Sequence, residues 1–159
     1  MDLSVELNAP RAMIQNNLAM TYLAAGMREQ ARDTASAAVQ AAEDELSLRL
    51  VAVCTDSLAE VYLAMDAPDK ARDLYLDALA RYQQSGVTAE MPDTWKGLGE
   101  AQLALGDQAA ARTSWEHAIR LLDDHGWADN HRVTRAELRE RLARLDRPAM
   151  TSAGPETST

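Results

Sequence analysis

The residues best suited to hold a metal or move a proton gather in one stretch of this chain. Asp123-Asp124-His125 and Asp129-Asn130-His131 could place four oxygen or nitrogen ligands around one ion, at the turn after a helix. The same residue types also make an ordinary polar helix end and linker, so a small-molecule or metal-binding helical regulatory domain using this loop stands as the alternative only. The three histidines, His117, His125 and His131, do not sit at i, i+4 on one helix and have no cysteine partner, as zinc sites of known pattern require. Cys54 falls in an apolar helical stretch, where a thiol packs as a small buried residue and is a poor nucleophile. No Ser or Thr is accompanied by an identifiable base, and no Gly-rich phosphate loop follows a strand. The expectation is a protein that is not an enzyme and needs no cofactor. Trp95, Trp115 and Trp127 could stack on a ligand, and their role depends on the elements that carry them.

Those elements are helices. The chain has 159 residues, 47% of them hydrophobic, with no Phe, few Gly and Pro and much Ala, a balance that favours closely packed helices over sheets. Its 16 basic and 25 acidic side chains leave a net charge of -9, which disfavours nucleic acid and anionic lipid as partners of the whole surface. Apolar runs are broken by charge too early to span a bilayer, and Met1-Asp2-Leu3-Ser4 does not open a secretion signal. A lone cysteine fits a reducing, cytoplasmic setting.

The organising feature is a repeat of period 40. Leu18, Leu58 and Leu98 fall in register, followed by Ala19, Ala59 and Gly99, by Tyr22, Tyr62 and Gln102, and by Leu23, Leu63 and Leu103. The register continues through Ala31-Arg32, Ala71-Arg72 and Ala111-Arg112 to Ala38, Ala78 and Ala118. Residues four apart in the first set share one helical face, and residues seven apart in the second share another. Each copy therefore reads as two antiparallel helices, with small residues where the backbones cross. Gly26 and Gly106 suit helix C-caps, Asp107 an N-cap and Pro68 a first helical position. The expected helices run roughly 9–25, 28–44, 48–65, 68–84, 92–105 and 108–125. A cap helix near 131–146 follows, opened by the capping box Thr134-x-x-Glu137 and carrying the stripe Leu138, Leu142 and Leu145. Because Leu138 lies 40 residues beyond Leu98, this helix is half of a fourth copy covering the last apolar face. Residues 147–159 have no apolar period and are expected to be a disordered tail, and residues 1–8 a lead-in to a single domain over 9–146.

The third copy, Trp95-x2-Leu98-Gly99-x2-Gln102 followed by Ala111-x3-Trp115-x2-Ala118, resembles the tetratricopeptide repeat. The second copy keeps Leu58, Ala59, Tyr62, Ala71, Tyr75 and Ala78, while the first departs most, with Gln15 and Ala35 at the two aromatic columns. The resemblance implies an all-α, right-handed α-α superhelix of three helical hairpins plus a C-terminal capping helix. It also places Trp95 and Trp115 in the aromatic columns of the core, while Trp127 lies outside them. Since such repeats usually measure about 34 residues, some six extra residues are expected to link the hairpins, at Glu43–Leu48 and Gln83–Glu90. The longer repeats also resemble those in the C-terminal region of actinobacterial antibiotic regulators and related signalling ATPases. By that likeness the chain is the partner-sensing part of a bacterial transcriptional regulator, or else a free-standing adaptor.

Tetratricopeptide arrays hold a peptide or protein on a concave face lined by the first helix of each pair. By resemblance the groove positions here are Met13, Asn16 and Met20, then Val53, Asp56, Ser57 and Glu60, then Asp93, Lys96, Gly97 and Glu100. One subclass clamps a peptide's terminal carboxylate with cations and amides at five columns. Those columns read Asn16, Met20, Ser57, Asp93 and Gly97, so that clamp is absent. Asp56, Glu60, Asp93 and Glu100 against Lys96 alone favour a basic or mixed basic-apolar segment, with Met13 and Met20 adding adaptable apolar contact. The alternative is a solvated face on an acidic protein. A second surface is basic, because residues 131–147 carry six arginines against three acids, and Arg132, Arg135 and Arg139 are expected to share one face of the cap helix. That face could meet an acidic partner, a second copy's groove in self-association, or nucleic acid, but a solvated polar face on a terminal helix is the ordinary explanation.

Overall fold

A computed structural model describes residues 10–147. The expected lead-in at 1–8 and all but the first residue of the expected tail lie outside the described residues. Seven helices follow one another: α1 (Arg11–Ala24), α2 (Arg28–Asp44), α3 (Leu48–Ala64), α4 (Pro68–Ser85), α5 (Met91–Ala104), α6 (Gln108–Asp124) and α7 (Arg135–Asp146). There is no strand among the described residues. The pairs α1–α2, α3–α4 and α5–α6 pack as hairpins, each hairpin packs on the next, and α7 packs on α6. Because α1 also touches α3, and α3 touches α5, the first helices of the pairs form one continuous side of the array.

The small-residue columns lie where the helices cross. Ala31, Ala71 and Ala111, and likewise Ala38, Ala78 and Ala118, are fully buried. The expected caps form: Asp107 accepts from the Ala110 N–H at 3.0 Å, Thr134 accepts from the Glu137 N–H at 3.1 Å, and Pro68 opens α4. Every hairpin turn and every inter-hairpin turn holds one residue at positive φ. These are Gly26, Asp66 and Gly106 in the first set, and Leu46, Gly86 and Gly126 in the second. The backbone thus repeats its left-handed step about every 20 residues, each step closing a helix C-terminus.

Three expectations need correction. The residues beyond the usual repeat length do not form linkers, because Glu43, Asp44 and Leu48 are helical and so are Gln83–Ser85, leaving only residues 45–47 and 86–90 between the hairpins. Longer helices absorb the difference: α4 runs three residues past the buried Tyr82, through the polar Gln83–Ser85, before Gly86 closes it. Leu18 is not core like Leu58 and Leu98: it is 43% exposed, because no hairpin precedes α1 among the described residues to cover that column. The cap helix begins at Arg135, not 131, so Arg132 lies in the α6–α7 loop. Trp127 is half-buried there, part of the α6–α7 core, with its ring stacked on His125 at 4.2 Å.

Candidate interaction groove

Successive first helices present three aligned columns, Met13/Val53/Asp93, Asn16/Asp56/Lys96 and Met20/Glu60/Glu100, each 40 residues apart. Spacing of three and four residues keeps all nine on one side of α1, α3 and α5. Met13, Met20 and Val53 are half-buried, and Asn16 is buried with its Oδ1 unpartnered. This N-terminal half of the groove contains no ion pair among the described residues.

The other half is occupied by the chain itself. Arg132 reaches back from the α6–α7 loop, its Nη2 lying 3.2 Å from Asp56 Oδ2 and 3.4 Å from Glu60 Oε2, its Nη1 3.7 Å from Asp93 Oδ2. Asn130 shapes that loop by accepting the N–H groups of Arg132 and Val133 at 2.7 and 2.9 Å. Lys96 donates to the Arg132 carbonyl at 2.7 Å and pairs with Glu137 at 3.2 Å. Arg141 of α7 bridges Glu100 and Glu137, at 2.9 Å each, and lies over the Trp115 ring. The Trp115 Nε1–H donates to the Lys96 carbonyl at 3.2 Å, so the core aromatic also positions the helix that carries Lys96. Beside Arg132 a cavity of about 290 Å³ remains, lined in part by Glu60, Leu63, Tyr75, Gly97 and His131.

Burial decides the charge states. The Asp56 side chain is 4% exposed, and desolvation pushes its pKa up; Arg132 and the nearby Thr94 hydroxyl pull it back without cancelling the rise. Burial alone would lower the Arg132 pKa, but Asp56, Asp93 and Glu60 outweigh it and hold the guanidinium firmly charged. Glu100 is raised by burial, with Arg141 and Lys96 opposing. Burial would also raise Glu137, yet hydrogen bonds from Arg141 and Lys96 bring it below the ordinary value.

This arrangement corrects the expected charge pattern. The four carboxylates do not face Lys96 alone, because Arg132 and Arg141 also enter the groove. Nor do Arg132, Arg135 and Arg139 form one basic face. Arg135 folds onto Asp123 (2.6 Å), Asp129 (2.5 Å) and the Trp127 carbonyl (2.8 Å), and only Arg139 stays on the exposed side of α7. Four of the six candidate metal ligands are engaged elsewhere: Asp123 and Asp129 bind Arg135, Asn130 closes its loop, and His125 stacks on Trp127. Glu137 and Arg141 were missed as groove residues. Period 40 does place Glu137 on the Gly97 column, whereas Arg132 falls opposite Pro92, where nothing marks it as a groove residue.

A tetratricopeptide repeat family model matches residues 10–84. The helical array superposes on the crystal structure of the TPR domain of Arabidopsis FLU with a TM-score of 0.67, covering 71% of this chain and 95% of that one at 14% identity. Residues 10–84 thus match the tetratricopeptide repeat family, and the array as a whole has the tetratricopeptide fold. The family match falls on the first two hairpins, although the third carries the fuller written signature. No curated protein matches the sequence significantly. Tetratricopeptide arrays commonly serve as scaffolds for protein contacts, and no described helix is long and apolar enough to cross a membrane.

Proposed function

We propose that this tetratricopeptide-repeat chain is a non-catalytic module whose concave face receives a segment of a partner protein, mixed basic and apolar in character. The observation that supports it best is the groove's unoccupied half. Met13, Met20 and Val53 stand there partly exposed beside Glu60, whose side chain is 41% exposed and meets Arg132 only at 3.4 Å. Flexible thioethers accept varied apolar side chains, and a half-exposed carboxylate steers a cation without paying for full desolvation. Asp56, Asp93 and Glu100 belong to the internally paired half, so the partner's apolar side chains meet α1 and α3 while its basic group meets the Glu60 edge. On the sequence resemblance to repeats of antibiotic regulators, we read such capture as the sensing step of a bacterial, cytoplasmic transcriptional regulator, or as the contact of a free-standing adaptor.

A random peptide library displayed against the full chain tests this reading. Enriched peptides should carry a cation beside apolar residues, and Met20→Glu should weaken their binding at least tenfold while Arg139→Glu leaves it unchanged. Enrichment of no sequence class, or binding indifferent to Met20→Glu, would refute it.

A further inference from the structure

We propose that the inner half of the groove is a receptor for a guanidinium group, kept occupied at rest by the chain's own Arg132, and that the partner inserts an arginine which displaces the α6–α7 loop. This rests on the reading of the concave face as a binding surface and adds which residue is recognised and what competes with it.

Three observations carry the inference. Asp56, Glu60 and Asp93 come from two helices and converge on one guanidinium, and only one of the two Asp56 oxygens is used. Oδ2 meets Arg132, whereas Oδ1 is buried with no donor at hydrogen-bond distance, the nearby Thr94 hydroxyl being turned to the Glu90 carbonyl, in a side chain 4% exposed. A carboxylate desolvated this far is retained with a cation against it, and a planar fork of N–H groups is the donor that satisfies both oxygens together.

Arg132 fills the receptor loosely. Its contacts run from 3.2 to 3.7 Å, beyond the 2.7–2.9 Å of a well-formed charge-assisted pair. Its side chain remains 42% exposed. Arg135 shows what a structural arginine looks like in the same molecule: 20% exposed, its Nε, Nη1 and Nη2 each with a partner between 2.5 and 2.8 Å.

The α6–α7 loop and α7 have anchors besides the Arg132 contact. Val133 and Leu138 are fully buried against α6, and Arg135 and Arg141 tie the loop and α7 down on both sides. With those anchors in place, Arg132 can be exchanged for an incoming arginine that keeps the buried Asp56 paired. The neighbouring cavity, with Leu63 and Tyr75 in its wall, leaves room for a small apolar residue next to an incoming arginine, while Lys96 repels a second cation. The recognised element is therefore one arginine with an apolar neighbour, not a polybasic tract. Because the loop competes, the affinity of the intact chain is reduced by the fraction of molecules whose groove is open.

The probe is the chain's own loop supplied separately, an N-acetylated and C-amidated pentapeptide with the sequence of residues 130–134, titrated into the full chain and followed by NMR chemical shifts. Arg132→Ala should bind it at least tenfold more tightly than the wild type does. A peptide with lysine in place of arginine should bind the variant at least tenfold less tightly, and adding Asp93→Asn should weaken binding of the arginine peptide. Equal affinity in wild type and Arg132→Ala overturns the competition, and equal affinity for the lysine peptide overturns guanidinium recognition. Should Arg132→Ala not fold, the wild type still decides the matter: saturating peptide should speed hydrogen exchange at the Arg132 and Val133 amides, and unchanged exchange overturns the proposal. If no pentapeptide binds either protein, the inference fails, while Met20-dependent binding of library-selected peptides independently decides the broader reading.

Discussion

Gly99 packs directly against the Trp115 indole in the third hairpin, and replacing Gly99 by Ala tests the packing directly. A Cβ at Gly99 would fall 2.6 Å from Trp115 Cδ1 and 2.8 Å from Cε2, distances that real contacts do not reach. Trp115 cannot swing aside freely, since it is 1% exposed, donates to the Lys96 carbonyl and lies under Arg141. Overpacking of this kind costs about 1–3 kcal/mol, and losing the indole hydrogen bond adds about 0.5–1.5 kcal/mol. Ala returns about 0.5–1 kcal/mol through its better helix propensity. The net expectation is a loss of about 0.5–4 kcal/mol, centred on ~2 kcal/mol, which for a chain of this size lowers Tm by roughly 4–8 °C at the centre of that range. Circular-dichroism melts and urea titrations of Gly99→Ala read this directly. Adding Trp115→Tyr, which shrinks the ring, should give a double mutant less damaged than the sum of the singles. An unchanged or raised Tm in Gly99→Ala, or strict additivity, would refute the packing argument.

Truncation after Gly126 should lower Tm and promote aggregation, because Val133 and Leu138 are fully buried against Trp115, Ala118 and Leu122; light scattering checks it. Burial lifts the Cys54 thiol to about 11, so native protein at pH 8 should resist iodoacetamide while urea-unfolded protein alkylates readily. The Asp56 pKa is raised on folding, so protonation favours the folded state. Its stabilising contribution is present below 3.8 and fades as pH climbs through the raised value, so the stability of wild type relative to Asp56→Asn should improve as pH is lowered toward 3.8 in urea titrations.

The helices were legible in the sequence because repetition multiplies each local signal. One Ala at a helix crossing says little, but Ala31, Ala71 and Ala111 in register define a face, and all three are fully buried. Size complementarity was legible on the same grounds: where the second-helix column grows from Ala35 to Tyr75 to Trp115, the facing column runs Ala19, Ala59 and Gly99. The groove positions of α1, α3 and α5 followed from the same register. What the register does not carry is the α6–α7 loop, where the period is interrupted and a side chain spans 76 residues of sequence to reach Asp56. Charge counting could not find that contact. Six arginines near the C-terminus read as a surface, although three of them, Arg132, Arg135 and Arg141, turn inward to carboxylates placed by packing.

The same register identifies a position where the chain departs from its own best choice. Leu46 stands 40 residues before Gly86 and 80 before Gly126, and all three adopt positive φ, of 53°, 70° and 62°. A Cβ in this region costs about 1–2 kcal/mol. Leu46 gains little in return, since its side chain is 91% exposed. Replacing it with Gly adds about 0.5–1 kcal/mol of unfolded-state entropy that folding must overcome. The balance leaves a gain of about 0–1.5 kcal/mol, centred on ~0.75 kcal/mol, or roughly 1.5–3 °C in Tm at the centre of that range. Nothing else in the turn should change, because its bonds, Leu46 N–H to the Glu43 carbonyl and Ser47 N–H to the Ala42 carbonyl, are backbone to backbone. Leu46→Ala separates the two contributions: it removes the exposed side chain but keeps the Cβ, and should leave Tm nearly unchanged. If Leu46→Gly instead lowers Tm and Leu46→Ala lowers it equally, the leucine side chain is making a stabilising contact and the backbone-strain argument fails.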